Sequence, residues 1–218
     1  QGDHASLETS SGHFQAEYIF KSFYKKIDFS QANFVWQHFK GWIVETKEDS
    51  FKDDEAIFMD FRVEQGDDTR FLYVLPIDRK KALVEIAIFS GDIPNDDFYD
   101  PFLEKYIKEI LKISSYTITE EEIGAIPMTD YNFDNKLPGR IINLGTNGGR
   151  VKASSGYAFS RIQEENNRLF EYIKQDKLVQ YRYPKSRYDF YDSIMLNAIL
   201  SGKTTGKIVF SKSCMFIF

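Results

Sequence analysis

The chain has 218 residues and a formal net charge of −5, with 42% hydrophobic and 28% charged residues. This composition excludes a disordered tail and a membrane bundle, and the mild acidity argues against a general nucleic-acid binder. One cysteine, Cys214, and three histidines offer neither an internal disulfide nor the paired spacing of a metal site, so no metal is expected. Aromatic residues are frequent, with 20 Phe, 13 Tyr and 2 Trp.

Both ends of the chain have the features of a fragment. The sequence starts at Gln1 rather than at a methionine, and it closes on the apolar run Met215–Phe218, which a complete domain would be expected to cover. We therefore expect a piece of a longer protein. The alternative is an N-terminus that was processed or left by a tag.

Strand patterns dominate the first part of the chain. Residues 5–20 alternate around Gly12, which predicts a hairpin or two adjacent strands. Residues 34–46 carry both tryptophans, one on each side of Gly41, and are expected to be extended. Short polar turns separate three further strand patterns, which should pair as an antiparallel meander, at residues 56–63, 70–75 and 82–89.

A helix is predicted over residues 100–113. Asp100 is a favoured N-cap residue, and Pro101 suits the first helical position. Apolar residues at helical spacing form one stripe, at positions 103, 106, 107, 110 and 111. A further strand is expected over 116–124, which leads to Ile126-Pro127-Met128.

The segment 141–175 is the most informative part of the sequence. A short strand, 141–144, runs into Gly145-Thr146-Asn147-Gly148-Gly149, and a helix is predicted from about residue 155 to 175. Glycines let a ligand approach the backbone, and a helix N-terminus offers free N–H groups. The junction suits a phosphate, a hydroxyl chain or an anionic ring edge, but such a loop can also serve only to turn the chain. A last helix is predicted over 188–200.

Glu85 stands among apolar residues in the predicted strand Leu83–Phe89. In an apolar cleft, the loss of hydration would raise its pKa and make it a usable proton donor. The alternative follows from alternation along the strand: Leu83, Glu85 and Ala87 share one face, which can simply face water.

Asp60 and Arg62 are predicted to share a strand face with Phe58, because each lies two positions after the one before it. The two charges are placed to form an ion pair beside a cleft. Such a pair is usually structural and contributes little when exposed.

Five segments of the chain together resemble the flavoprotein lycopene cyclases of carotenoid biosynthesis, in their bacterial form. They are FMDFR at 58–62, FLYVLP at 71–76, LVE at 83–85, IPMTD at 126–130 and GTNGGRVKASSGY at 145–157. Their order and spacing match the family from about residue 5 to about residue 212. Because five motifs in register are more specific than any one of them, the chain is identified as a member of this family.

The resemblance implies an α+β or α/β fold of the FAD-containing hydroxylase type, related to glutathione reductase. In that fold an antiparallel sheet roofs the substrate cleft of a Rossmann-type FAD domain. The sequence has no GxGxxG unit. The resemblance implies four regions. Residues 1–33 are the end of the FAD-domain portion, and residues 34–130 are the substrate sheet with its helix 100–113. Residues 131–175 are a flavin-contacting strand–loop–helix, and residues 176–218 are a truncated C-terminal helical region.

The resemblance also assigns roles to individual residues. Glu85 matches the critical acid of the cyclase motif, in which Ile86 and Ala87 depart from the usual polar or acidic residue and threonine. The flavin is assigned to Gly145, Thr146, Asn147, Gly148, Gly149, Gly156, Pro127 and Met128, with Ala153 in place of the usual proline. The substrate cleft is assigned to Phe58, Asp60, Arg62 and Tyr73.

The implied reaction is the redox-neutral cyclisation of the linear end groups of lycopene to β-ionone rings. A proton adds to the terminal double bond, the carbocation closes to a six-membered ring, and a proton is lost, with Glu85 as acid, base or anionic stabiliser. The family uses reduced FAD, with NAD(P)H as the reductant. An aromatic-lined cleft would exclude water and stabilise the cation, which gives some of the aromatic residues a purpose.

Lycopene or a related linear carotenoid is the implied partner, and it must be drawn from a membrane because it is insoluble. The resemblance therefore implies a cytoplasmic protein attached peripherally, for which Lys203–Lys212 and Met215–Phe218 are candidate contacts. Alternatively, these segments pack against other residues. Two other functions are kept open: another FAD-dependent prenyl-lipid reductase or hydroxylase, and a non-catalytic fragment.

Overall fold

The computed structural model describes residues 4–22, 28–133, 140–184, 186–202 and 207–208. The chain divides into two compact units. One, called here the loop unit, takes its residues from 1–34 and 127–197, and the other, called the sheet unit, from 35–126 and 198–218. Both contain strands and helical segments, so the predicted α+β character is confirmed.

The described elements follow one another in a mixed order. The strands are β1 (Ala5–Thr9), β2 (Gly12–Ala16), β3 (Ile19–Lys21), β4 (Phe34–Glu45), β5 (Ile57–Asp60), β6 (Thr69–Pro76), β7 (Lys81–Ser90), β8 (Thr117–Thr129) and β9 (Ile141–Asn143). The α-helices are α1 (Asp100–Lys105), α2 (Phe159–Lys174) and α3 (Arg187–Leu200). Short 3₁₀ turns cover Asp96–Phe98, Gly145–Gly148 and Leu178–Gln180.

The sheet unit is built on five strands in the order β5-β6-β7-β4-β8. The three consecutive strands β5, β6 and β7 pair antiparallel, which confirms the predicted meander. β7 also pairs antiparallel with β4 over its whole length, from Glu45 opposite Lys81 to Trp36 opposite Ser90. Glu85 thus lies on the central strand of the sheet.

One face of this sheet packs against a helical layer. Side chains from alternate positions of β4, β6 and β7 meet Leu103, Tyr106 and Ile107 in a single apolar core. The strand residues buried in it include Trp42, Val44, Leu72, Val74, Val84, Ile86 and Ile88. Their even spacing follows from the period of two along a strand, which sends every second side chain to the same face.

The predicted helix 100–113 is shorter and changes its winding. α1 ends at Lys105 and continues as a π-helix over Tyr106–Ile110. Asp100 does not cap the helix, because Tyr99 holds the cap position without a side-chain hydrogen bond. The Asp100 carboxylate instead accepts a 2.6 Å hydrogen bond from the nearly buried ammonium group of Lys40. A buried charge needs a partner more than a helix end does, so the cap prediction is wrong.

The loop unit contains two pairs of short strands and two helices. β1 and β2 form the predicted antiparallel hairpin, and β3 pairs in parallel with β9. The helix predicted from residue 155 begins at Phe159, since two turns separate it from the glycine loop. The helix predicted over 188–200 is α3.

Candidate functional site

Glu85 lies on the face of the sheet opposite to the helical layer. The strand registers place Tyr73 of β6 and Gly41 of β4 directly beside Glu85, so these three residues form one row across the sheet. The neighbouring residues Val84 and Ile86 point the other way, into the core. We call this side of the sheet the acid face and define it by Gly41, Phe71, Tyr73, Glu85 and Phe89. Glu85 is only half-exposed on it.

Aromatic rings cluster on the acid face next to Glu85. The ring of Phe71 meets those of Tyr73 and Phe89 edge-on, with centroids 5.4 and 5.3 Å apart. Phe61 lies 5.6 Å from Phe71, and the Phe58 ring lies 5.2 Å from Tyr73. Ring faces attract cations. The cluster therefore provides an apolar surface beside the acid that can also stabilise positive charge.

A second carboxyl reaches Glu85 across strand β4. Gly41 stands opposite Glu85 and leaves a gap in that strand. A Cβ at Gly41 would lie 3.0 Å from both Cγ and Oε1 of Glu122, so the Glu122 side chain occupies this gap. Burial raises the pKa of Glu85, and the hydrogen bond and negative charge of Glu122 raise it further, to about 8. At neutral pH, Glu85 is therefore mostly protonated.

The segment FMDFR is divided between the two faces of the sheet. Ile57 pairs with Val74 and Asp60 with Leu72, so β5 has one extra residue between these pairs. The bulge lies at Met59, whose φ of 50° is in the left-handed region. Phe58 meets Tyr73 on the acid face, whereas Asp60 accepts a 2.6 Å hydrogen bond from the Tyr106 hydroxyl in the helical layer. The predicted shared face is wrong, because the bulge reverses the alternation.

Asp60 and Arg62 do form the predicted ion pair, with 2.6 Å between the Arg62 Nη2 and Asp60 Oδ2 atoms. Burial raises the pKa of Asp60, but hydrogen bonds from Arg62 and Tyr106 outweigh that effect and lower the pKa below its usual value. Asp60 is therefore an anion at neutral pH, unlike Glu85. Of the four residues assigned to the substrate cleft, Tyr73 lies beside Glu85 and Phe58 packs on Tyr73, and the assignment of all four to a substrate stays a prediction.

In the loop unit, the glycine loop folds back on itself. Gly145 and Gly149 have φ values of +57° and +74°, which glycine adopts without strain. A Cβ on Gly148 would come within 2.8 Å of the carbonyl oxygen of Asn143, and one on Gly149 within 2.8 Å of the Phe133 ring. The Asn147 amide also hydrogen-bonds the Asn143 side chain within the loop. These glycines are needed for the turn itself.

A cleft of about 380 Å³ lies beside the turned loop. Gly148 and Gly149 line it, whereas Gly145, Thr146, Asn147 and Gly156 do not. Charged and aromatic side chains of α2, α3 and the loops also line the cleft. They are Asp130, Tyr131, Phe133, Arg150, Arg161, Arg182, Tyr183, Asp189 and Asp192. Arg150 Nη2 is buried and makes no hydrogen bond to a described residue. It is therefore a donor that a polar ligand in the cleft can use.

The guanidinium of Arg150 is held in place by buried neighbours. Its Nε donates to Glu165 of α2 over 2.8 Å, and both side chains are at most 2% exposed. The ring of Tyr183 lies against the guanidinium, 3.2 Å from Cζ to the ring centroid. The Tyr181 hydroxyl donates to the other oxygen of Glu165 over 3.4 Å. The pairing with Glu165 balances the charge of Arg150 and holds its guanidinium in a fixed orientation at the cleft.

Pro127 and Met128, which were predicted to lie near a flavin ring, are buried near the end of β8. The two residues that follow them, Thr129 and Asp130, line the cleft. Asp130 is fixed by hydrogen bonds from the backbone and side chain of Asn33, at 2.9 and 2.7 Å, and from Ser193 at 2.6 Å. The segment thus leads into the cleft, and the direct role of Pro127 and Met128 stays a prediction.

Two kinds of feature are not found in the described parts of the chain. No cluster of three or more His, Cys, Asp or Glu side chains is placed to hold a metal ion there. No helix among the described residues is long and apolar enough to cross a bilayer. The candidate membrane contacts Lys203–Lys212 and Met215–Phe218 lie outside the described residues, apart from residues 207 and 208.

Comparison with known proteins identifies the family. The family model of lycopene cyclase proteins matches residues 8–189, which is most of the chain. The chain belongs to the lycopene cyclase family. This confirms the resemblance inferred from the five motifs. No curated protein matches this chain.

Two solved structures are similar to this chain. One is a geranylgeranyl bacteriochlorophyll reductase-like protein from Thermoplasma acidophilum, with 10% identity, a TM-score of 0.46 and coverage of 78% of this chain. The other is the tetracycline destructase Tet(51), with 10% identity, a TM-score of 0.39 and coverage of 91% of this chain. The chain spans 40% of the length of the first protein and 65% of the second.

Three residues of these sites were missed by the sequence analysis. Gly41 was noted only as a break between the tryptophans, although a glycine in mid-strand is a signal for close approach of another group. Glu122 stands in a run of three glutamates, and alternation alone does not say which of them faces Glu85. Arg150 follows the glycine loop directly, and a cation at that position could have been counted with the loop.

Proposed function

We propose that the complete protein is a lycopene β-cyclase. The observation that carries the proposal is a half-buried carboxyl with a raised pKa, Glu85, beside an aromatic cluster in a chain of the lycopene cyclase family. Acid-catalysed cyclisation needs a proton donor on an apolar surface, and these residues supply both. The fold of FAD-containing hydroxylases, with the sheet unit as the roof of the substrate cleft, is part of the same proposal.

The proposed reaction conserves atoms and electrons. Glu85 gives its proton to the terminal double bond of the linear end group, and the electron pair of that bond forms the new C–H bond. The cation is captured by the next double bond, which closes the six-membered ring. The ring then loses a proton to the Glu85 carboxylate, so that no net proton or electron is consumed.

The pKa of Glu85 suits this cycle. At pH 7 an acid with a pKa of about 8 is mostly protonated, yet it is far stronger than water as a donor. The rings of Phe58 and Tyr73 lie beside it and offer their faces to the carbocation. They also keep water away, which matters because water would trap the cation as an alcohol.

Reduced FAD is the proposed cofactor, and NAD(P)H its proposed reductant. The residues of the cleft fit a flavin ring edge, since Arg150 Nη2 is a buried donor without a described partner and the loop backbone turns tightly at Gly149. Gly148, Gly149 and Arg150 would hold that edge, with Arg150 Nη2 as a hydrogen-bond donor to it. When bound, reduced FAD would supply electron density to the site without net redox change.

Lycopene or a related linear carotenoid is the proposed substrate. Because such a chain dissolves in the bilayer and not in water, we propose a cytoplasmic enzyme that binds peripherally to the membrane surface. The phenyl rings of Phe61, Phe71 and Phe89 support a substrate of this kind, since a phenyl ring carries no hydrogen-bonding group and offers apolar contact to a polyene.

The test is to express the complete reading frame in cells that accumulate lycopene. We expect β-carotene or one-ringed γ-carotene, and loss of the product in the Glu85→Gln variant by roughly 10²- to 10⁴-fold. Glu45→Gln is the matched control, because Glu45 is an exposed acid on β4 and should leave the product unchanged. Unchanged lycopene with the wild-type protein would contradict the proposal, and net NAD(P)H consumption with a reduced or hydroxylated product would indicate another flavoprotein reaction.

A further inference from the structure

Glu122 is a second acid at the candidate site, and neither the motifs nor the family match assigns it a role. It lies on β8, which is separated from β7, the strand of Glu85, by the single strand β4. Only Gly41 stands between them, and the missing side chain lets the two carboxyls meet over the backbone of β4. The two carboxyls share a hydrogen bond. A hydrogen bond between two carboxyl groups requires that one of them keeps its proton.

The residues directly beside Glu85 carry no positive charge that could offset the two carboxyls. Tyr73 faces Glu85 from β6, and Gly41 faces it from β4. No lysine or arginine among the described residues forms an ion pair with either carboxyl. The next charged groups along this side of the sheet are Lys81, which lies 4.0 Å from Glu120, and the exposed acids Glu45 and Glu120. Without a cation to offset it, the negative charge of Glu122 raises the pKa of Glu85.

The two acids differ in their exposure. Glu85 is half-buried beside the rings, whereas Glu122 is exposed to water. The hydrogen bond named above therefore connects a half-buried acid with a carboxyl at the exposed surface of the sheet.

We propose that Glu122 is a positioning residue for Glu85: through their hydrogen bond across Gly41 it orients Glu85 and keeps the acid loaded with a proton. This inference rests on the proposed cyclase function and deepens it. In each turnover the pair begins with one proton, gives it to the substrate and receives it back when the ring loses a proton. A proton lost from Glu85 to bulk water would be restored through Glu122.

The decisive measurement is a titration of the complete protein, made with ¹³C-labelled glutamate carboxyls and without substrate. We expect Glu85, assigned by its loss in Glu85→Gln, to titrate near pH 8, and Glu122→Gln to lower that midpoint by about one unit or more. Glu120→Gln is the matched control, because Glu120 lies on the same side of β8 but away from Gly41, and it should leave the midpoint unchanged. A midpoint that Glu122→Gln does not move would overturn the inference.

The second measurement is the pH profile of cyclisation. The alkaline limb of the profile should follow the titration and move to lower pH in Glu122→Gln, while Glu122→Asp, which keeps a carboxyl, restores part of the shift. A merely structural role would lower activity equally at all pH values, which would overturn the inference. If Glu122→Gln does not fold, by circular dichroism, Gly41→Ala separates the carboxyls instead, and an unmoved midpoint in that variant has the same meaning.

The two proposals fail separately in these experiments. Wild-type protein that titrates near pH 8 and responds to Glu122→Gln, but forms no rings from lycopene, contradicts the cyclase function and leaves the carboxyl pair in place. Wild-type protein that forms rings while its titration is indifferent to Glu122→Gln supports the function and overturns the role of Glu122.

Discussion

The backbone conformation of Met59 determines which side of the sheet each residue of the FMDFR motif faces. Its left-handed backbone adds one residue to β5, so Phe58 joins the rings next to Glu85 while Asp60 joins Tyr106 in the helical layer. The motif that sequence analysis treated as one cleft element therefore has two functions. Its aromatic half belongs to the acid face, and its charged half anchors the strand to the helix.

The anchoring role leads to a prediction for Tyr106. Tyr106→Phe removes the 2.6 Å hydrogen bond to Asp60 and leaves that half-buried anion with Arg62 alone. We expect the free energy of unfolding to fall by about 2 kcal/mol, as for other hydrogen bonds to a charged group. Urea denaturation measures this, with Tyr116→Phe as the control because Tyr116 packs on the same core without a hydrogen-bonded carboxylate. An equal effect of both substitutions would contradict the anchoring role.

At the scale of elements, side chains alternate along each strand of the five-stranded sheet, so one face of the sheet packs into the helical core and the other is the acid face. Even positions of β7 enter the helical core, and odd positions carry Glu85, Ala87 and Phe89 on the other side. Ile86 is fully buried in that core. An acid at position 86 would therefore not have stood beside Glu85, so the departure of the motif at Ile86 removes nothing from the acid face.

The raised pKa of Glu85 makes the stability of the sheet depend on pH. Between the ordinary glutamate value of 4.5 and about 8, the folded state binds more protons at Glu85 than the unfolded state does. The free energy of unfolding should therefore decrease as pH rises through this range. Unfolding curves at several pH values would show the slope, and Glu85→Gln should flatten it whereas Glu120→Gln should not. Burial lowers the pKa of His38, which contributes the opposite slope, so the comparison is between wild type and Glu85→Gln. Equal slopes in the two proteins would contradict the raised pKa of Glu85.

The sequence predicted the elements better than it predicted the contacts. The alternation of apolar and polar side chains and the turn residues predicted the meander and the strand face that carries Glu85, because both depend on local spacing. The bulge at Met59 was not foreseen, since a methionine has no special preference for positive φ. The meeting of Glu85 with Glu122 depends on β8 lying beside β4, a pairing of segments about 80 residues apart that no local pattern encodes. The burial of Arg150 with Glu165 is of the same kind.

At the scale of the whole molecule, net charge bears on the proposed membrane contact. The chain carries a net charge of −5, so general electrostatic attraction to anionic lipids is not expected. Exposed apolar side chains are present instead, among them Phe159 on α2 and Phe190 and Ile194 on α3, which are 76%, 65% and 53% exposed. Apolar contact is therefore the expected mode of attachment.

This argument predicts how the complete protein behaves with vesicles. We expect it to sediment with neutral and anionic phospholipid vesicles alike, and to be released by detergent but not by raised salt, because screening does not weaken apolar contact. Glu85→Gln, which changes no exposed apolar group, should sediment as the wild type does. Binding only to anionic vesicles, reversed by salt, would contradict apolar attachment, and no sedimentation at all would contradict the peripheral assignment.

The bulge at Met59 has a further consequence for association between molecules. β5 and β8 are the outer strands of the described sheet, and outer strands offer unpaired N–H and C=O groups to any other extended chain. β5 is only four residues long and is bent by its extra residue, while β8 carries the run Glu120–Glu122. A kinked strand at one edge and a line of like charges at the other both discourage edge-to-edge aggregation. Met59, which divides the FMDFR motif between the two faces, therefore also disfavours pairing of the β5 edge with other molecules.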